Sequence, residues 1–262
     1  MKLNTLLNYQ LHQPEIISAS KDPIVLIHGL FGDLHNLGVL GRDLRQDHIV
    51  VQIDVRNHGH SPHSDTMSYQ DMAQDVLTLL DNLNIPNAII IGHSMGGKIA
   101  MAMTALAPER LDRLVVIDMA PVAYHEHRHK QIFAALEAVT QAGVTQRQDA
   151  TKIMSNYIKE AGVISFLLKS FKNGGWLFNL PILKRAYSDI IGWQDVPAWS
   201  HPILFIRGGL SPYIIDEYRD NIARQFPLAT AFVVANTGHW VHSEKPETVI
   251  KIIRRFLDKS FS

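Results

Sequence analysis

Gly92-His93-Ser94-Met95-Gly96 sets a serine hydroxyl between two residues that lack a Cβ. The apolar run Ala88-Ile89-Ile90-Ile91 precedes it, and Gly97-Lys98-Ile99-Ala100-Met101-Ala102-Met103 follows. A buried strand running straight into a helix, with G-x-S-x-G at the junction, is the context of a nucleophile elbow. The sharp turn strains the serine backbone and leaves its hydroxyl clear of the sheet. The start of the following helix favours negative charge developing beside it. Such a serine becomes a nucleophile at neutral pH only with a base, and the base needs an orienting acid. Among 14 histidines, His239 in Thr237-Gly238-His239-Trp240 is the expected base. It lies just past the last apolar run, at the sheet edge on which the elbow opens and where open parallel sheets bind their ligands.

The acid is less direct. Chains of this architecture often carry it after the strand read here as Ile203 to Ile206, but Arg207-Gly208-Gly209-Leu210-Ser211-Pro212 follows, with no carboxylate before Asp216. One strand earlier, Asp118 ends the run Leu114-Val115-Val116-Ile117. Neighbouring strands lie about 4.8 Å apart, so an acid at the adjacent strand end reaches the same imidazole. Asp118 is therefore the expected acid and Asp216 the alternative, while Asp54 is expected beyond the His28 strand, on the far side of the elbow. Ser211, in the vacant place, is expected to assist by bonding the acid or the imidazole. An oxyanion needs preorganised donors. The backbone N–H of Met95 supplies one, and that of Leu30, in His28-Gly29-Leu30-Phe31-Gly32, is expected to supply the other. His28 itself reads as structural, its ring bonded to loop groups.

These residues need a scaffold. Ile24 to Ile27, Ile49 to Ile53, Ala88 to Ile91 and Leu114 to Ile117 are short β-branched runs that read as strands covered on both faces. Met72, Val76, Leu79, Leu80 and Leu83 recur at helical spacing, which predicts a helix over Tyr69 to Leu83. Strands alternating with helices imply a mostly parallel sheet flanked by helices. The rhythm breaks after Pro121 and resumes with strands at 203–206 and 231–234 and helices at 214–225 and 246–257. Between them the chain reads as helices, including 132–142 and 150–158, with no convincing buried strand. The expected organisation is an α/β core over 1–120 and 201–262, with a helical cap inserted at 121–200. Phe166, Phe171, Trp176, Phe178, Trp193 and Trp199 are expected either to line an acyl pocket under that cap or to hold it together.

The 262 residues suffice for one such domain with a substantial core. With 25 basic and 25 acidic residues, no net field draws in nucleic acid or an anionic membrane. The absence of cysteine excludes a disulfide scaffold, a thiolate nucleophile and cysteine-ligated zinc. The stretch Met1 to Gln10 is too interrupted by polar residues for a signal peptide, and no run approaches the ~20 apolar residues of a membrane span. A cytoplasmic protein without membrane insertion is expected, as a monomer or small homo-oligomer. His125, His127 and His129 have no matching ligand cluster, so they read as a solvated segment at the cap entry rather than a metal site.

The segments Pro23 to Gly32, Asp54-Val55-Arg56-Asn57-His58-Gly59 and Ile91 to Lys98 resemble the α/β-hydrolase superfamily, most of all its YbfF-type bacterial esterases. Phe166 to Phe171, Gly209-Leu210-Ser211-Pro212-Tyr213 and Gly238-His239-Trp240-Val241-His242 extend the likeness across the cap and to nearly the whole chain. The resemblance implies a serine esterase that uses no cofactor or metal. Its substrates would be small-molecule esters of short to medium acyl chains, with acyl-CoA thioesters a further class. It also implies that the acid at the end of Ile117-Asp118 is the catalytic one. A C–C bond hydrolase or thioesterase would use the same three residues. A ligand-sensing relative without catalysis would show a broken triad or oxyanion loop, and neither is present.

Overall fold

Apolar residues at every position of a strand must be covered on both sides, because successive side chains point to opposite faces. The computed structural model describes residues 6–16 and 21–259. Met1 to Thr5, half of the N-terminal stretch read above as no signal peptide, lie outside the described residues. In chain order the elements are β1 (Tyr9–His12), β2 (Ile24–Ile27), α1 (Gly38–Leu44), β3 (Val50–Ile53), α2 (Tyr69–Asn82), β4 (Ala88–His93), α3 (Met95–Leu106) and β5 (Leu111–Ile117). Then come α4 (Lys130–Ala142), α5 (Arg147–Met154), α6 (Ala161–Leu168), β6 (Phe171–Lys172), β7 (Gly175–Trp176), α7 (Leu180–Arg185) and α8 (Tyr187–Ile191). The chain closes with β8 (Ile203–Gly208), α9 (Arg219–Gln225), β9 (Ala229–Val234), α10 (Val241–Glu244) and α11 (Pro246–Leu257).

Seven strands form one sheet in the order β1-β3-β2-β4-β5-β8-β9. All neighbours are parallel except β1, which pairs antiparallel with β3. The strand alternation divides the core in two. Ile24, Leu26, Ile89, Ile91, Val115 and Ile117 face α1 and α11, packing on Leu40, Leu44, Ile253 and Phe256. Val25, Ile27, Ile90, Leu114 and Val116 face α2 and α3, packing among Val76, Leu80, Ile99 and Met103. α2 is amphipathic, with Ser68 as its N-cap accepting from the Asp71 N–H at 3.1 Å. α3 is buried from Met95 to Thr104 and is largely apolar, with Lys98 and Thr104 its buried polar side chains.

Three elements differ from the sequence reading. β1 was not expected; its polar alternation, half-buried at an edge, carries too little apolar signal. The helix expected from Ile214 begins only at Arg219, after a 3₁₀ turn at Asp216–Tyr218 that follows Pro212. A short hairpin β6–β7, also not expected, lies between β5 and β8; of its four strand residues only Phe171 is buried, so the segment still holds no buried strand, and the hairpin turn uses Asn173 and Gly174 at positive φ. Otherwise that segment is helical, with α4 and α5 close to their expected positions.

The register aligns the strand ends. Ile27 pairs with Gly92, His93 with Ile117, and Ile117 with Ile206. The residues that follow, Ser94 and Asp118, therefore stand side by side at the C-terminal edge. At the junction Ser94 has φ 54° and ψ −120°, and a Cβ on Gly92 would come within 2.1 Å of the Gly96 carbonyl oxygen. One on Gly96 would come within 2.2 Å of the Ile27 carbonyl oxygen. Gly92→Ala is accordingly expected to destabilise the fold by roughly 3 kcal/mol or more, read as a drop in urea midpoint. An unchanged midpoint would mean that the elbow tolerates a wider turn.

Candidate active site

The side chains at this edge converge on His239. The imidazole Nε2 lies 2.9 Å from Ser94 Oγ, and Nδ1 lies 2.7 Å from Asp118 Oδ2. A carboxylate only accepts, so Nδ1 carries the proton, leaving Nε2 to accept from the serine hydroxyl. Asp118 is fully buried at the end of β5, with φ 53°. Its Oδ1 accepts from the Gly208 N–H at 2.9 Å. Its Oδ2 accepts from the Ser211 hydroxyl as well as from His239. The loop carrying His239 is held by Thr237, whose hydroxyl donates to the Val234 carbonyl at 2.7 Å and whose carbonyl accepts from Leu210 N–H. His93 donates from Nε2 to the His239 carbonyl at 2.9 Å, and the Tyr213 ring stacks on the imidazole at 4.0 Å. Ser94, Asp118, His239 and Ser211 are thus brought together.

The alternatives lie elsewhere. Asp216 is exposed and paired with Arg219 at 3.1 Å and Arg207 at 3.8 Å. Asp54 ends β3, two strands from β4, and accepts from Asn8, Leu34 and His60. Leu30 and Met95 line the Ser94 cavity, and the backbone N–H of neither meets an acceptor among the described residues. The Leu30 loop is held by two neutral histidines. His28 accepts from Val55 N–H at Nε2, 3.0 Å, and donates from Nδ1 to the Gly29 carbonyl, 2.7 Å. His58 accepts from Phe31 N–H at 3.1 Å and donates to the Arg56 carbonyl at 3.0 Å. In each ring one nitrogen accepts, so neither can hold a second proton without losing a backbone bond.

Two narrow cavities meet at Ser94. One, about 60 Å³, runs past His93, Phe166, His239 and Trp240. The other, about 30 Å³, runs past Met95, Tyr124, Ile190, Ile191 and Tyr213, with Arg128 over the Tyr213 ring at 5.2 Å. Of the six aromatic residues expected at an acyl pocket, only Phe166 touches these cavities. Trp193 lines a separate groove, Phe171, Trp176 and Phe178 pack on one another, and Trp199 is buried against His201. The expectation of a solvated 125–129 segment needs correction at its end. His129 lines both cavities, bonds Tyr187 Oη through Nδ1 at 2.7 Å and packs edge-on against Phe31. Nothing in the residues flanking His129 marks it, because its neighbours Phe31 and Tyr187 come from distant parts of the chain. His58 and His93 sit within motifs quoted above, yet only the folded loops show what their rings bond. Among the described residues no cluster of His, Asp or Glu could hold a metal ion, and no helix is long and apolar enough to cross a membrane.

A family described as alpha/beta hydrolase fold matches residues 22–139. The esterase YbfF of Escherichia coli (strain K12) is 55% identical over 239 residues, covering 91% of this chain and 94% of that protein. The chain belongs to the α/β-hydrolase family, among its YbfF-type esterases. A putative esterase/lipase of Haemophilus influenzae is 46% identical over 259 residues, covering 98% of this chain and 90% of that one. Among solved structures, a marine microorganism esterase superposes with a TM-score of 0.90 at 32% identity, covering 97% of this chain and all of that one.

Burial holds several histidines of this family member neutral. Desolvation lowers His58 and His242 to about 3 and His129 to about 4. Each pKa is depressed on folding, so the unfolded chain binds more protons below its ordinary value of about 6.5. The stability these groups contribute is complete above that value and is lost as the pH falls toward 4. At pH 5 the loss is roughly 2 kcal/mol per histidine. The melting temperature is therefore expected to fall steeply between pH 7 and pH 5. A flat profile across that range would mean that these rings bind protons in the folded state.

Proposed function

We propose that the protein is a serine carboxylesterase acting on short to medium acyl esters, with acyl-CoA thioesters within reach of the same chemistry. The carrying observation is the imidazole of His239 bonded at one nitrogen to Ser94 and at the other to a buried carboxylate. In this reading His239 takes the Ser94 proton as Oγ attacks the ester carbonyl, and Asp118 holds the ring in the required tautomer and favours the imidazolium. The N–H groups of Leu30 and Met95 receive the oxyanion. The imidazolium then protonates the leaving alcohol or thiol, and the tetrahedral intermediate collapses to an acyl-serine. Water, activated by the same histidine, releases the acid and restores Ser94. Ser211 positions Asp118, so that Oδ2 is shared between a hydroxyl and the imidazole. The segment between β5 and β8 acts as a cap over Ser94, bringing Phe166, Ile190 and Ile191 to the cavity walls.

Ser94→Ala is expected to abolish p-nitrophenyl butyrate hydrolysis together with covalent labelling by an organophosphonate. Labelling that persists in Ser94→Ala would place the nucleophile elsewhere. Asp118→Asn puts an amide where the ring's donor must be accepted, and should lower kcat by roughly 10³–10⁴-fold. Ser211→Ala removes one neutral donor and should cost on the order of tenfold. A Ser211→Ala loss equal to that of Asp118→Asn would instead make the hydroxyl indispensable to the imidazole. Ligand-induced stabilisation without turnover of any ester would end the catalytic reading.

A further inference from the structure

Lys98 is a buried lysine that the proposed hydrolysis leaves unused. It is fully buried on α3, four residues after Ser94, and among the described residues no carboxylate pairs with it. Its ammonium instead donates to the carbonyls of Ile191, at 3.0 Å, and Gly192, at 2.8 Å. The rings of Tyr124, Tyr69 and Trp193 lie 4.7, 5.5 and 5.9 Å from Nζ. The carbonyls where α8 ends favour a cation, and ring faces add to that preference. Two further bonds hold Ile191 and its neighbour Ile190. Tyr69 Oη donates to the Ile190 carbonyl at 2.5 Å, and Tyr124 N–H donates to that of Ile191 at 2.9 Å. Three consecutive carbonyls are thus held from three elements outside α8.

The stretch so fixed separates two spaces. Ile190 and Ile191 face the inner cavity at Ser94. Ser188, Asp189, Gly192 and Trp193 face an outer groove of about 460 Å³, which also meets α3 at Ala102 and Leu106. Tyr69 lines both. The 190–192 stretch and the Tyr69 ring thus border both spaces. The inner cavity is also the natural place for the acyl arm of an ester. His239 lines the other cavity and not this one, and the group that protonates the departing alcohol must stand on the alcohol's side.

We propose that the 190–192 stretch, held by Lys98 and Tyr69, is the end wall of the acyl site and sets the longest acyl chain the enzyme accepts. The proposal rests on the esterase reading above. Lys98 is a positioning residue, acting on the acyl chain through the backbone it holds. With the wall loosened, the inner cavity opens into the outer groove and longer chains gain room.

The test compares p-nitrophenyl butyrate with p-nitrophenyl laurate for wild type, Lys98→Met and Tyr69→Phe. The ratio of kcat/KM, laurate over butyrate, is expected to rise by about tenfold or more in Lys98→Met and in the same direction in Tyr69→Phe. A purely structural role would lower both substrates together and leave the ratio where it was. An unchanged ratio in variants with wild-type circular dichroism overturns the proposal. Tyr69→Phe, which deletes one oxygen, decides the matter should Lys98→Met not fold. In a parallel series of alkyl butyrates, where only the alcohol lengthens, the ratio is expected to stay constant, and a rise there would contradict the assignment of the acyl side. Failure of the esterase reading looks different, because the wild type would then hydrolyse none of these esters.

Discussion

A buried carboxylate has to find donors, and here one carboxylate organises three separate stretches of chain. Asp118 stands at the end of β5 with no exposure, and its oxygens gather the Gly208 N–H, the Ser211 hydroxyl and the His239 imidazole. Leaving any of these unmade would cost about 1.5–3 kcal/mol for a bond to a charged group. The loops after β8 and β9 are therefore drawn to the same point, although nothing in their own sequences requires them to meet. Displacement of the acid to β5 follows the same geometry. From the neighbouring strand a carboxylate reaches the imidazole directly, and the space after β8 is left to a hydroxyl that completes its shell.

The loop that carries Leu30 obeys a complementary constraint. Among the described residues the Leu30 N–H meets no acceptor, so the loop is not held by its own backbone at that position. His28 and His58 hold it instead, each using one ring nitrogen as acceptor and the other as donor toward backbone. Neutral histidines suit that task, since an imidazolium has no acceptor to offer Val55 or Phe31. Burial lowers the pKa of both rings, which keeps the acceptor available. Phe31, with φ 64°, is the residue bent by this arrangement.

Legibility in the sequence followed the range of the interactions. Ser94 was readable because strand, turn and helix are contiguous, and the two glycines answer to contacts set by the turn itself. Asp118 and His239 were readable as strand-end residues once parallel order was assumed. The Ser211 contact to Asp118 was one of two open possibilities, and only the register of β5 against β8 selects it. His129 carried no local signal, and Tyr213 and Lys98 stood in the segments that carry the resemblance without a role of their own. Their polar partners lie far along the chain, 58 positions for Tyr187 against His129 and 94 for Gly192 against Lys98. The edge strand β1 was missed for a related reason, because its pairing with β3 is written in backbone and not in apolar alternation.

The helical segment between β5 and β8 meets the core through polar contacts placed on the loops that serve Ser94. Ser170 donates to the Phe31 carbonyl at 3.3 Å, and Asn179 N–H donates to the Asn57 carbonyl at 2.8 Å. Phe31 N–H is itself held by His58, next to Asn57 in the chain. A rigid swing of the segment away from the sheet would break these bonds and the Lys98 contacts at once, while His28 and His58 would still hold the loop that carries Leu30. Smaller movements at the cavity leave all of those bonds in place. The side chains free to make them are those at the cavity mouth without a polar tie to the core. Phe166, which lines the cavity at Ser94 and meets Trp240 ring to ring at 5.8 Å, is such a side chain.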